Sequence, residues 1–110
     1  MHGFVREFVE ACRSSDLAGV RAALDEDVFA VVDGRGPVYG ATAVTALVGA
    51  LLCGRPDTSL TVESVNGADG LALWRAGRAL VVVAVDAEAA LITALWIVVS
   101  PAKLRGWQRP

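Results

Sequence analysis

The sequence has little of the chemistry that metal sites and nucleophilic active sites use. It contains one histidine, His2, and two cysteines, Cys12 and Cys53, among 110 residues. One histidine near the start of the chain supports neither a Ser/His/Asp nor a Cys/His arrangement, and no cluster of metal ligands is present. Both cysteines fall on apolar helical faces. They are expected to be buried free thiols in a reducing compartment, with a disulfide or a reactive thiol as the alternatives.

Strong charge and long apolar runs are also missing. The formal net charge is −2, from 10 basic and 12 acidic residues, and no face is obviously basic, so direct nucleic-acid binding is not expected. The longest apolar runs, residues 79–85 and 89–99, are too short to cross a bilayer, and no membrane partner is expected. Because Arg6, Glu7 and Glu10 interrupt the start of the chain, no signal peptide is expected and the predicted location is cytoplasmic.

Apolar residues are abundant instead. They make up 55% of a chain whose 110 residues are the usual size of one domain, so residues 1–110 are expected to form a single domain. A chain of this length can bury a core without metal or disulfide support. The apolar excess suggests a further use, either a lined cavity or an oligomer interface.

The first half of the chain reads as helical with one strand. Apolar residues recur at helical spacing over residues 4–12, and residues 17–24 repeat the pattern after a Ser-Ser-Asp break, which predicts two helices. Residues 28–32 are β-branched or aromatic except for Ala30 and predict a strand. A glycine- and proline-rich turn at 33–37 and a short extended piece then lead to a third helix over residues 40–54.

The second half changes to a period of two. Its short turns force antiparallel pairing of four predicted strands, at residues 60–65, 70–75, 78–86 and 90–99. A short helical turn and a loose end are expected over residues 100–110. The order gives an α+β domain with three N-terminal helices on one face of an antiparallel sheet. Because strand 78–86 is apolar on both faces, a second subunit is expected on the other face, which makes a homodimer.

This order of elements resembles the SnoaL-like group of nuclear-transport-factor-2-like (NTF2-like) domains over nearly the whole chain. The opening FVREFVEACRSSDLAGVRAALDEDV, residues 4–28, is similar to the first helical hairpin of that group. The resemblance implies a cone-shaped fold, in which the three helices pack on a curved antiparallel sheet. It also implies a pocket inside the cone for an apolar small molecule.

Shorter segments resemble the C-terminal extension of extracytoplasmic-function sigma factors. DGRGPV, residues 33–38, is similar to its Asp-Gly-Gly-Gly-Lys motif, and SPAKL, residues 100–104, to its Asn-Pro-Asp-Lys-Leu motif. VNGADGLALWRAGRALVVVAVD, residues 65–86, resembles the intervening hairpin. Arg35 and Pro37 depart from the first motif, and two residues of the second motif are also replaced. The resemblance implies a regulatory domain, detached or free-standing, that contacts sigma-factor or polymerase regions.

Asp33 and Tyr39 are the candidate catalytic residues. Enzymes of the resembled fold place a carboxylate base at the cavity end of the strand after the second helix, which is near Asp33. A carboxylate in an apolar cone would have a raised pKa and could move a proton near neutral pH. Asp33 is alternatively a turn residue, and resemblance to ketosteroid isomerase puts Val32 at the base and Phe8 at the oxyanion-hole tyrosine. Tyr39 either donates a hydrogen bond into the pocket or shields the sheet edge.

The expected pocket lining is apolar and would select a hydrophobic ligand. Two tryptophans belong either to this lining or to the opposite face of the sheet, since their direction depends on a register that the sequence leaves open. The predicted ligand-binding residues are Phe4, Phe8, Cys12, Phe29, Val31, Val48, Leu52, Trp74, Leu95, Trp96, Ile97 and Val99.

The sequence has two further patterns, a set of glycines that resembles a dinucleotide-binding loop and a scattered set of basic residues. Gly34, Gly36 and Gly40 lie between a strand and a helix, but their spacing is one residue too long for a dinucleotide fingerprint, and no second βαβ unit follows. No cofactor is predicted. A scattered basic set is either solvated surface or a docking patch for an acidic partner: Arg75, Arg78, Lys103, Arg105 and Arg109.

The sequence supports three hypotheses. The first is a small-molecule-binding or regulatory domain. The second is a SnoaL- or ketosteroid-isomerase-like enzyme that performs proton transfer or cyclisation on an apolar carbonyl substrate, with Asp33 as general base. The third is a structural dimer without a ligand.

Overall fold

Three helices pack on one face of a six-stranded sheet in the computed structural model, which describes residues 3–107. His2 and Arg109 lie outside the described residues. The helices are α1 (Gly3–Arg13), α2 (Leu17–Ala22) and α3 (Ala41–Leu52). The strands are β1 (Leu24–Val32), β2 (Val38–Tyr39), β3 (Ser59–Val65), β4 (Ala68–Arg75), β5 (Arg78–Glu88) and β6 (Leu91–Val98). This confirms the predicted α+β architecture.

One strand pairing departs from the predicted antiparallel sheet. The strand order is β2-β1-β6-β5-β4-β3, and β1 pairs parallel with β6 while the other neighbours are antiparallel. A parallel pair needs a long crossover, and here α3 and the β3–β5 meander supply it. The pairing also lengthens β1, which begins at Leu24 opposite Ile92 instead of at residue 28. Leu24 therefore belongs to the sheet and not to the second helix.

The core lies between the helices and the inner face of the sheet. Phe8 of α1, Val48 of α3 and Leu95 of β6 are fully buried there. α1 is amphipathic, with its charged residues in solvent, whereas α3 has no charged residue and exposes only alanine and threonine on the side that faces away from the core. The strands contribute alternate side chains to this core, except that a register shift in β6 separates Ile92 from Leu95 by three positions. The strand residues in the core include Val28, Ala30 and Val32 from β1, Leu71 and Leu73 from β4, Val81, Val83 and Val85 from β5, and Ile92, Leu95 and Ile97 from β6.

The C-terminal segment covers one half of the outer face of the sheet. Successive turns run over residues 101–106, and Leu104 and Trp107 pack against Trp74, Ala79 and Val82. The two indole rings lie 6.2 Å apart, and the Trp107 carbonyl accepts a hydrogen bond from Ala79 N–H at 3.2 Å. The apolar character of this half is therefore explained within one chain. This half of the outer face, where the sequence predicted a second subunit, is thus covered by the chain's own C-terminal segment.

Candidate functional site

Asp33 joins the end of β1 to the start of the C-terminal segment. Because β1 and β6 run parallel, their carboxyl ends lie side by side, and each Asp33 carboxylate oxygen accepts a backbone N–H bond from the chain beyond β6. Val99 N–H donates to Oδ1 at 2.9 Å and Ser100 N–H donates to Oδ2 at 3.1 Å. The Lys103 ammonium lies 3.9 Å from Oδ2. Both oxygens are thus engaged in holding the tail.

These contacts make Asp33 a poor general base. The Val99 N–H bond, with further help from Ser100 and the charge of Lys103, lowers the pKa of Asp33 below its ordinary value, although partial burial acts in the other direction. Burial in an apolar cone would raise the pKa of Asp33, whereas these hydrogen bonds lower it. The Asp33 side chain does not line the cleft beside α3 that is described below. The interpretation of Asp33 as a turn residue fits its geometry.

Tyr39 lies on the outer face in an aromatic cluster with Phe29 and Trp96. Tyr39 pairs with Phe29 across β1 and β2, with ring centroids 6.3 Å apart, and Phe29 meets Trp96 edge to face at 5.5 Å. Tyr39 is 69% exposed and Trp96 43% exposed. The Trp96 indole N–H donates to Asp86 at 3.0 Å. This position on the edge strand β2 fits the second of its two sequence-based interpretations, in which Tyr39 shields the sheet edge.

The register of β1 corrects the predicted direction of two lining residues. Val28, Ala30 and Val32 face the core, so Phe29 and Val31 face the other side of the sheet. The sequence placed Phe29 and Val31 inside the cone because both are apolar, and alternation reverses them. Trp74 and Trp96 also lie on the outer face, the first under the C-terminal segment and the second in the aromatic cluster.

Most of the other predicted lining residues fill the cone themselves. Six of them are buried members of the core, and Phe4 packs against that core from α1. Cavity lining and close-packed core draw on the same apolar residue types, so the sequence pattern does not distinguish them. The six are Phe8, Cys12, Val48, Leu52, Leu95 and Ile97.

An open cleft remains at the mouth of the cone, beside the second half of α3. Its volume is about 290 Å³. Six apolar residues and two arginines line it, and the lining contains no acidic residue. Of the predicted ligand-binding residues, Val99 reaches this cleft. The apolar lining residues are Val32, Leu47, Leu51, Leu80, Val81 and Val99.

Arg35 and Arg55 stand at this cleft, and the sequence analysis assigned neither to a site. Arg55 follows α3 and donates from its guanidinium to the Leu51 carbonyl at 3.2 Å, which satisfies one of the free carbonyls at the end of that helix. Arg35 is exposed in the turn after β1. Two features of the sequence could have pointed to these arginines. Leu47 and Leu51 make the apolar face of α3 wider than its buried core positions require, and Arg55 follows that face. Arg35 stands where the resembled motif has a glycine.

The remaining candidates lie elsewhere. The Cys12 and Cys53 thiols contact each other, and burial raises the pKa of both, so neither acts as a thiolate near neutral pH.

Arg78 and Arg105 line a groove of about 430 Å³ beside the C-terminal segment, and Arg75 donates to the Pro56 carbonyl at 3.0 Å. Within residues 3–107, no group of three or more side chains is placed to hold a metal, and no helix is long and apolar enough to span a bilayer.

This chain is similar to known proteins in its structure but not in its sequence. The sequence matches no protein-family model, and no curated protein matches it significantly. Solved structures do match. An NTF-2-like protein from Burkholderia xenovorans LB400 has a TM-score of 0.69 at 10% identity, over 99% of this chain and 93% of that one. A putative ketosteroid isomerase from Kribbella flavida DSM 17836 has a TM-score of 0.66 at 17% identity, over 88% and 75%.

A sigma factor is a third structural relative. The extracytoplasmic-function sigma factor SigJ of Mycobacterium tuberculosis has a TM-score of 0.67 at 24% identity, over 96% of this chain. This chain spans 44% of that sigma factor. Identities at this level establish a shared fold and leave function open. The chain therefore has the nuclear-transport-factor-2-like fold, as its sequence predicted.

Proposed function

We propose that this domain binds an apolar small molecule in the cleft beside α3 and does not transform it. The observation that carries the proposal is the cleft itself, which is apolar over six of its eight lining residues and lies at the mouth of the cone. Small-molecule sites are typically concave and mostly apolar, with a few polar groups that fix the orientation of the ligand. The cleft has this composition, at a size that suits a short ligand.

Binding without turnover fits the titratable groups better than catalysis does. An enzyme of the isomerase kind needs a base that faces the substrate and has a pKa near the working pH. Asp33 lies outside the cleft, and its pKa is lowered by the Val99 and Ser100 amides. The alternative, proton transfer on an apolar carbonyl substrate, has less support. A regulatory setting, with contact to a sigma factor or polymerase, is consistent with the fold that this chain shares with SigJ.

Filling the cleft should abolish binding. Octan-1-ol, a neutral apolar probe, should bind the wild-type domain in saturation-transfer NMR, and Leu51→Trp should weaken that binding by at least about tenfold, since the indole would occupy the space beside α3. Leu91→Trp is the matched control, because Leu91 is partly exposed at the start of β6 and does not line the cleft. Circular dichroism checks that both variants fold. Unchanged octan-1-ol binding by Leu51→Trp contradicts the proposal.

We also propose that the exposed half of the outer face packs on a second copy of the chain. The aromatic cluster of Phe29, Tyr39 and Trp96 is contiguous and lies beside the half that the C-terminal segment covers. The polar atom of the Trp96 indole is already bonded to Asp86, so its ring face can be buried without leaving a donor unpaired. A symmetric pair would account for this remaining apolar surface.

A charge in the aromatic cluster should separate the two copies. In sedimentation velocity, Trp96→Glu should raise the dimer dissociation constant by at least about tenfold, because two carboxylates would be desolvated against apolar rings. Leu17→Glu, at an exposed position of α2 on the helical side of the sheet, should leave the association unchanged. A wild-type domain that is monomeric at high concentration would contradict the dimer while leaving the ligand-binding proposal intact.

A further inference from the structure

The cleft has an apolar floor, formed by its six apolar lining residues, and a cationic rim, formed by Arg35 and Arg55. Its eight lining residues include two guanidinium groups, from Arg35 and Arg55, and no carboxylate. In the part of the chain that the structure describes, neither arginine forms an ion pair with an acidic side chain. The nearest acidic residue in sequence to Arg35, Asp33, has both carboxylate oxygens on backbone amides. No acidic side chain among residues 3–107 therefore neutralises the positive charge at the rim through an ion pair.

Arg55 is held where it can meet a ligand. Its side chain is half-buried, and one N–H donates to the Leu51 carbonyl, which fixes the guanidinium next to an apolar lining residue. A guanidinium has five N–H donors in a planar fork, so most of its donors stay available. A partly desolvated guanidinium binds an anion more strongly than a fully solvated one does, because the local dielectric constant is lower.

We infer that the ligand of this cleft is an amphipathic carboxylate of medium chain length, whose head group is bound by Arg35 and Arg55 and whose tail lies on the apolar floor. This inference rests on the proposed ligand-binding function. A planar carboxylate matches the guanidinium fork through two parallel hydrogen bonds. The tail would contact Leu47 and Leu51 of α3 on one side and Leu80 of β5 on the other. The cavity of about 290 Å³ suits a chain of this kind and not a multi-ring ligand.

The test compares three probes that share one tail. Octanoate, octan-1-ol and octylammonium are titrated against the full chain by isothermal calorimetry at neutral pH and low salt. Octanoate should bind about tenfold more tightly than octan-1-ol, and octylammonium more weakly than either, because the rim attracts an anion and repels a cation. Added salt should weaken octanoate binding and leave octan-1-ol binding nearly unchanged.

Variants of the two arginines assign the effect to the rim. Arg35→Met and Arg55→Met keep a long apolar side chain without its charge, and each should weaken octanoate binding several-fold. The double variant should bind octanoate no better than octan-1-ol. Arg21→Met is the matched control, because Arg21 is exposed on α2 and does not line the cleft. Unchanged octan-1-ol binding by Arg21→Met, together with circular dichroism of every variant, reports that the cleft and the fold are intact.

The outcomes separate this inference from the function on which it rests. Equal affinity of the wild type for octanoate and octan-1-ol overturns the carboxylate inference and leaves the ligand-binding proposal standing. A preference for octanoate that survives in the double variant overturns the assignment to Arg35 and Arg55. Binding of none of the three probes overturns the inference and the proposed function together.

Discussion

Alanine at position 70 should destabilise the domain by about 3 kcal/mol, the upper end of the usual cost of overpacking. A Cβ atom at Gly70 would lie 2.2 Å from the Val83 carbonyl oxygen and 2.7 Å from Val65 Cγ2. The carbonyl belongs to the backbone of β5, which pairs with both β4 and β6, so it cannot retreat without disturbing two ladders. Urea unfolding followed by circular dichroism measures the change in the free energy of unfolding.

Gly36→Ala is the matched control for this substitution. Nothing lies within 4 Å of a Cβ atom at Gly36, and its backbone does not require the left-handed region. Its free energy of unfolding should stay within about 0.5 kcal/mol of the wild type. If Gly70→Ala were equally neutral, the close approach of β4 to β5 described above would be wrong, and with it the register that directs Leu71 and Leu73 into the core.

Leu104→Ala should also cost about 3 kcal/mol, within the range for a buried leucine truncated to alanine. Leu104 is 6% exposed and packs on the outer face with Trp74, Ala79 and Val82. Truncation should loosen the C-terminal segment from the sheet, so the fluorescence of the Trp74–Trp107 pair should shift to the red as water reaches it. Thermal or urea unfolding measures the loss of stability, and native-state fluorescence measures the exposure.

The control for Leu104 is a leucine that the fold leaves partly exposed. Leu91→Ala should change the free energy of unfolding by less than about 1 kcal/mol, since Leu91 keeps 37% of its surface in solvent. A neutral Leu104→Ala would mean that the segment does not hold this half of the outer face in solution. The whole face would then be available to a partner, as the sequence first suggested.

The sequence predicted the elements well because their signals are local. Helical spacing of apolar residues gave α1 and α3, and period-two alternation between short turns gave β3 to β6. The start of β1 was missed because residues 25–27 are acidic and follow a helix, which looks like a helical end. The pairs on either side of them, Leu24 with Ile92 and Phe29 with Ala94, depend on β6, which is far away in sequence, and no local pattern carries that information.

The candidate site was predicted less well, because its members depend on register and on packing. Phe29 and Val31 satisfy every compositional criterion for a lining residue, yet strand alternation turns them outward. Asp33 is near the position of a catalytic base in related folds, but parallel pairing of β1 with β6 brings two backbone amides to its carboxylate. Arg35 and Arg55 lie 20 residues apart and meet at one cleft through the crossover that contains α3.

The pairing of β1 with β6 also determines when the domain can fold. During synthesis the three helices and β1 leave the ribosome before β6 exists, so the strand that anchors β1 arrives last. Until then the apolar helix α3 has no complete sheet to pack against, and its leucines are exposed to other chains. Contacts between residues so far apart in sequence slow folding, and they lengthen the time during which exposed apolar side chains can aggregate with other chains. A chain truncated before β6 should therefore collect as an insoluble nascent product rather than as a smaller stable domain.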